Sequence, residues 1–297
     1  MDYGHILVAA DFSEFSDSVI EFAFAFGRQC RARLTLAHVI EPFEEESDET
    51  IQPADYEGWA RKEEAKIRQQ AQPYLDKTGG DPIGVDFVLL RGFNPADALL
   101  ELLGKNRFDL LVIGTHGRGG LKRFLQGRVA ERMVRMSPIP VLTIHRSFTN
   151  FSISRVLVPI DFSIPSRSAL DAAAEISRAC NAKVILFHVI EQDIYPSFYS
   201  EGEETIFDID RNLPRIVREN LEEFVADSLE PDLVEDYVVK KGLAHQEIVD
   251  YAQKNHIDLL VISSHGSTGM EYLLMGNTAE KVIRQATCPV LTVKSNA

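Results

Sequence analysis

The sequence predicts two copies of a doubly wound α/β domain, each built on a five-stranded parallel sheet. Three observations lead there. The chain has 297 residues, enough for about two domains at roughly 100–200 residues each. Short patterns recur along it at a near-constant offset. Within each copy, short apolar runs alternate with segments of helical spacing, the pattern of βαβ units under a parallel sheet covered on both faces.

The repeat is the strongest of these signals. Leu7-Val8-Ala9-Ala10-Asp11-Phe12-Ser13 returns as Leu157-Val158-Pro159-Ile160-Asp161-Phe162-Ser163, and His38-Val39-Ile40-Glu41 returns as His188-Val189-Ile190-Glu191, both at an offset of 150. Arg91-Gly92 matches Lys241-Gly242 at the same offset. Asp109-Leu110-Leu111-Val112-Ile113 then matches Asp258-Leu259-Leu260-Val261-Ile262, and Pro140-Val141-Leu142-Thr143 matches Pro289-Val290-Leu291-Thr292, at 149. A period of this length is a domain duplication. The expected domains are 1–148 and 149–297, meeting in the polar stretch Ser147-Phe148-Thr149-Asn150.

In the first copy the elements follow in order. Ile6 to Ala10 is a short apolar strand, and residues 15–29 have helical spacing. Leu34 to Ile40 reads as a second strand, and 58–77 as a charged amphipathic helix. Val85 to Leu90 is a third strand, followed by a helix over 95–105. Leu110 to Ile113 is a fourth strand; a glycine-rich segment and a helix over 128–136 separate it from the fifth, Val141 to Ile144. The second copy reads the same way. Right-handed crossovers between parallel strands then give the doubly wound, Rossmann-like arrangement.

Composition narrows the function classes. Apolar residues make up 45% and charged residues 26%, as in ordinary globular proteins. No apolar run reaches the ~18 residues that would span a bilayer, and the N-terminus has no basic, then apolar, leader pattern. The net charge of −14 argues against nonspecific binding to nucleic acid or anionic membrane. Cys30, Cys180 and Cys288 have no close pairing and no metal-ligand spacing, so the expectation is reduced thiols in a cytoplasmic protein, with no metal site.

An open parallel sheet takes its ligand outside the carboxyl ends of the strands, where strand order reverses. Two segments in each copy have suitable chemistry. One follows the first strand: Ala10-Asp11-Phe12-Ser13, and Ile160-Asp161-Phe162-Ser163. The other follows the fourth: Gly114-Thr115-His116-Gly117-Arg118-Gly119-Gly120 with Gly127-Arg128 opening a helix, and Ser263-Ser264-His265-Gly266 with Gly276-Asn277-Thr278 opening the last helix. Glycines let backbone N–H groups come close to a ligand, and a helix start adds unpaired amides and a positive dipole end. Together they suit a phosphate.

Gly114, Gly117 and Gly127 form Gly-x2-Gly-x9-Gly. With the Asp after strand one, the His-Val of strand two, the Gly after strand three and the Pro-Val at strand five, this resembles the universal stress protein family over nearly the whole chain, twice. The resemblance implies strand order 3-2-1-4-5 and the adenine nucleotide alpha hydrolase-like version of the fold. It implies ATP, with Mg2+, as ligand: adenine near Asp11 and the backbone of Val39, ribose and phosphates along Gly114, Gly117 and Gly127. The matching positions in the second copy are Asp161, Val189, Gly266 and Gly276. It also implies pairing through the fifth strand, hence an intramolecular pseudo-dimer of the two halves and further association into a homodimer.

Each copy departs from the pattern once. Arg128 stands where a small polar residue is expected, and either reaches phosphate as a charged fork or fills the pocket. In the second copy Asn277 fits but Ser263 replaces the first glycine. Charge favours the first copy, where Arg118, Lys122, Arg123, Arg128, Arg132 and Arg135 face a single Glu131. Simpler roles stay open beside these. Asp11 and Ser13 fit a helix cap, His38 and His188 fit packed, hydrogen-bonded core positions, and His116 and His265 have no partners at metal-ligand spacing. The expected function is an adenine-nucleotide-binding stress-response module without dedicated catalysis, at most hydrolysing ATP slowly. The alternative is an interaction scaffold that has lost nucleotide binding in one or both halves. An adenylating enzyme would show Ser-Gly-Gly-x-Asp-Ser after strand one, where this chain has Ala10-Asp11-Phe12-Ser13-Glu14.

Overall fold

A computed structural model describes residues 3–41, 56–77, 83–115, 128–145, 152–191, 212–265 and 275–294. These fall into two units, Met1–Ser152 and Ile153–Ala297. The first contains β1 (His5–Ala9), α1 (Glu14–Cys30), β2 (Arg33–Ile40), α2 (Tyr56–Asp76), β3 (Val85–Arg91), α3 (Pro95–Lys105), β4 (Leu110–Gly114), α4 (Arg128–Met136) and β5 (Val141–Ile144). The second contains β6 (Arg155–Pro159), α5 (Ile164–Cys180), β7 (Lys183–Ile190), α6 (Leu213–Val225), β8 (Val234–Lys241), α7 (Ala244–Lys254), β9 (Leu259–Ser263), α8 (Asn277–Gln285) and β10 (Val290–Val293).

Strand order is β3-β2-β1-β4-β5 in the first unit and β8-β7-β6-β9-β10 in the second. Every strand pair within a unit is parallel. This is the strand order that the family resemblance implies. Its reversal points lie between β1 and β4 and between β6 and β9. The central strands are buried at consecutive positions: Ile6, Leu7 and Val8, Leu110 to Val112, Val156 to Val158, and Leu259 to Val261 are all fully covered. Alternation is lost because helices cover both faces. Right-handed crossovers put α1 and α2 on one face and α3 and α4 on the other. Tyr74 of α2 donates to Asp17 of α1, and Lys77 pairs with Glu21, tying the first face together.

The helices start and stop for local reasons. Ser13 caps α1, its Oγ accepting from the Ser16 amide at 3.3 Å, and Ser163 caps α5 by the same bond to Ser166. Arg31 and Asn181 end these helices in the left-handed region, which turns the chain into the second strand. Asn94 caps α3, accepting from Ala96 and Asp97 amides. Its counterpart α7 starts after Leu243, which has no capping side chain; Glu191 reaches over from the end of β7 instead, its Oε1 accepting from the Ala244 amide at 2.8 Å. Gly242, just before, has φ +141°, a conformation that side chains rarely adopt. Cys288 is buried, and burial pushes the Cys180 thiol up to about 11, away from nucleophilic use.

Replacing Ser13 or Ser163 by Ala removes one cap. Each is expected to cost about 1 kcal/mol, read as a lower denaturant midpoint at unchanged slope.

Candidate functional site

At the carboxyl end of β1, the chain turns sharply through a strained residue. Phe12 has φ 55° and Phe162 φ 63°, positions that cost a bulky residue of order 1–3 kcal/mol. The turn folds Asp11 back, so that its Oδ1 accepts from the Ser13 amide at 3.1 Å and from the Ser13 hydroxyl at 2.7 Å. Asp161 does the same with Ser163. The phenylalanines swing out onto aromatic neighbours. Phe12 lies 5.4 Å from His38 and 6.2 Å from both Tyr74 and Phe87. Phe162 lies 4.8 Å from His188 and meets Phe224 edge-on at 5.5 Å.

The two strand-two histidines brace this turn. His38 Nδ1 donates to the Ala10 carbonyl at 2.7 Å, and His188 Nδ1 to the Ile160 carbonyl at 2.7 Å. A carbonyl only accepts, so Nδ1 carries the proton. Burial lowers the His188 pKa, outweighing the opposing pull of its hydrogen bond to Ile160 and of Asp161 and Glu191. The packed, hydrogen-bonded role expected of both histidines holds.

In the second unit these elements open a cleft of about 360 Å³ at the ends of β6, β7 and β9. Ile160, Asp161, Val189, Ser263, His265, Gly276, Asn277 and Thr278 all line it. Phe162 and Ser163 stand beside it and support Asp161 rather than forming its wall; Gly266 lies outside the described residues. The wall also includes Phe187, His188, Glu191, Ala244 and Ile248, which the sequence reading did not single out as ligand-facing. Their common signal is position: each sits at the carboxyl end of β7 or on the first turns of α7.

The start of α8 forms one side of the cleft. Its N-cap is Gly276, which supplies no side-chain acceptor, and the Gly276 amide is occupied by the Ser264 carbonyl at 2.8 Å. The first intrahelical bond runs from Glu280 to the Gly276 carbonyl. The amides of the first turn, Asn277 to Ala279, therefore have no acceptor within the helix, and Asn277, Thr278 and Ala279 face the cleft. His265 is held by its neighbours, with Nδ1 2.9 Å from the Ser264 hydroxyl and its carbonyl accepting from Ser263 Oγ at 2.7 Å. Among the described residues, no group of three or more His, Cys, Asp or Glu side chains could hold a metal, and no helix is long and apolar enough to cross a membrane.

In the first unit, Ala10, Asp11, Phe12, Ser13 and Val39 occupy the equivalent positions, Gly114 ends β4, and Arg128 begins α4 with its side chain exposed. His116, Gly117, Arg118 and Gly127 lie outside the described residues.

The Gly114–Ser263 difference has a packing cause. A Cβ on Gly114 would come within 2.8 Å of the Phe15 ring and 3.1 Å of a Val19 methyl, both on α1. The positions matching Phe15 and Val19 at the repeat offset are Pro165 and Ala169. The smaller pair on α5 makes room for the serine Cβ, so its volume is taken from the helix side. Gly114→Ser should therefore destabilise the first unit by about 1–3 kcal/mol through overpacking, while Ser263→Gly costs less, about 0.5–1 kcal/mol; urea denaturation of the two variants measures both.

Comparison with known proteins agrees with this architecture. The universal stress protein family profile matches residues 2–145 and again 152–294. A universal stress protein of Methanocaldococcus jannaschii is 30% identical over 148 residues, covering 47% of this chain and 81% of its own. One of Mycobacterium bovis is 22% identical over 286 residues, 93% of this chain and 94% of its own. The crystal structure of a universal stress protein from Archaeoglobus fulgidus superposes with a TM-score of 0.69 at 21% identity, covering 99% of this chain and 97% of that one, and shares the fold. With both halves matched and the repeat, strand order and cleft in place, the chain belongs to the universal stress protein family, as a tandem of two such domains.

Proposed function

We propose that this protein is a stress-response module that binds an adenine nucleotide, ATP with Mg2+, in the cleft of its second unit, and acts through a change of conformation or assembly rather than dedicated catalysis. The observation that carries the proposal is the joining of one cleft to one uncapped helix start. The volume, about 360 Å³, falls within the range of small-molecule sites, about 300–1,000 Å³. Phosphate belongs at the first turn of α8, where Asn277, Thr278 and Ala279 offer amides and the dipole is positive. The Asn277 side chain adds a neutral donor. Val189, Ile248 and Ile262 supply apolar surface for a base, and Asp161, fixed by Ser163, gives an acceptor at the edge of the reversal point.

The first unit has the same braced turn at Asp11 and the same strand order. A nucleotide there would meet Arg128 at the head of α4 in place of an amide side chain. The competing reading, an interaction scaffold without nucleotide, rests on that arginine and on Ser263 in the second unit, and one experiment decides between them. Freshly purified protein is denatured and the released small molecules separated by chromatography; Mg-ATP is then titrated into nucleotide-free protein by calorimetry. Release of adenine nucleotide, or binding below millimolar concentration, supports the proposal. Neither release nor binding at millimolar ATP rejects it in favour of the scaffold.

Asn277→Asp separates binding from folding. A carboxylate on the first turn suits the helix dipole, so α8 keeps or gains stability, but it repels a phosphate held at the same amides. Affinity for ATP is expected to fall about tenfold or more with no loss of thermal stability.

A further inference from the structure

We infer that the outer face of α5 is a docking surface for a second copy of this chain, with two α5 helices lying antiparallel about a two-fold axis. The inference is independent of any nucleotide and starts from a difference between the repeats. On α1 the outer face carries Glu14, Asp17 and Glu21. Asp17 accepts from Tyr74 of α2, and Glu21 pairs with Lys77. At the repeat offset the matching residues of α5 are Ile164, Arg167 and Asp171, with Phe224 and Asp227 in the places of Tyr74 and Lys77. The two helix-to-helix bonds of the first unit therefore have no counterpart. Phe224 has no hydroxyl to donate, and Asp227 repels a carboxylate instead of pairing with it.

Ile164, Arg167 and Asp171 are three and four residues apart, so they share one helix face. All three are exposed, Ile164 to 78%. On α6 the same four-residue spacing closes the pairs Arg215–Glu219 and Arg218–Glu222. Arg167 and Asp171 form no ion pair among the described residues, because the Arg167 guanidinium lies 4.2 Å over the Phe224 ring instead. Opposite charges on one face are self-complementary about a two-fold axis, where each patch meets its own copy. With the helices antiparallel, Arg167 of each copy meets Asp171 of the other, and the axis passes beside Ser168, small enough for close approach. A second copy supplies both the cation and the carboxylate that this face lacks. Stacking on Phe224 already orders Arg167, so little side-chain freedom is lost on pairing. Ile164 extends the contact to the far end of the other helix, onto the methylene stem of Arg178. On α1 the same arrangement would set Asp17 against Glu21, two like charges, so the pairing belongs to α5 alone. It also lies on a different element from the fifth strand, through which the family resemblance implies pairing.

Sedimentation equilibrium of the full chain tests this. Exposed charge pairs contribute little, so the unaltered protein should dimerise weakly, with a dissociation constant on the order of 100 µM. Arg167→Asp and Asp171→Arg each set like charges across the axis, and each should weaken association at least about tenfold with thermal unfolding unchanged. An equimolar mixture of the two variants brings opposite charges together again at both positions. It should associate within about threefold of the unaltered protein, which no loss of folding in either variant could produce. An unaltered chain that stays monomeric at about 1 mM overturns the inference and leaves the face to a different protein. Association that neither variant weakens overturns it too, and places the contact on another face. So does a mixture that associates no better than its components.

Discussion

The reversal of strand order at β1/β4 and β6/β9 is the constraint on which the rest depends. A parallel sheet with right-handed crossovers can only be wound both ways from its middle by sending the helices of its two halves to opposite faces. Where the winding changes direction, the segments leaving two neighbouring strands part, and the sheet's carboxyl edge is left open between them. The elements that line the cleft come to it because of this: the turn after β6, the end of β7, the first turns of α7, the end of β9 and the first turn of α8. The interior residues serve the same end. Strands buried on both faces, such as Val156 to Val158 and Leu259 to Val261, hold the edges of the crevice to a fixed spacing.

Duplication exposes which parts of this edge tolerate change. The Asp–Phe–Ser turn and the strand-two histidine are the same in both units, down to the 2.7 Å bond from Nδ1 to the preceding strand's carbonyl. The end of strand four and the head of helix three differ, and each difference has a partner. Ser263 occupies a place closed to it in the first unit, because Pro165 and Ala169 replace Phe15 and Val19. Loss of a capping side chain at Leu243 is met by Glu191. These two differences are thus absorbed on the helix side of the sheet and by a residue at the end of β7.

Much of the architecture was legible because it is written in short-range patterns. Apolar runs such as Leu110 to Ile113 mark doubly covered strands, and Ser13 marks a helix start by side-chain chemistry alone. The second unit's cleft was legible at Asp161, Val189, Ser263, His265 and Gly276 to Thr278, since these lie in contiguous motifs at the ends of strands. Glu191, Ala244 and Ile248 were not, for a physical reason. Their place in the wall depends on α7 packing beside α8 and on a capping bond between residues 53 apart in sequence, which no local spacing encodes. The left-handed Phe12 and Phe162 were also missed: bulky residues rarely adopt that conformation, so the sequence argues against it until the aromatic neighbours are known.

That strained turn explains how Asp161 both braces the start of α5 and lines the cleft. Positive φ at Phe162 reverses the chain direction within one residue, which is what lets the Asp161 carboxylate reach the Ser163 amide and hydroxyl. The cost, of order 1–3 kcal/mol, is offset by the rings on either side, each aromatic contact being worth about 0.5–1.5 kcal/mol. With Oδ1 engaged by Ser163, the carboxylate cannot rotate freely, and it lines the cleft in a fixed orientation without help from a ligand. Capping and orientation meet in one residue: Ser163 Oγ accepts from the Ser166 amide to start α5 and donates to Asp161 Oδ1 to aim it. The turn is ordered by folding, so a ligand bound in the cleft would not have to order it.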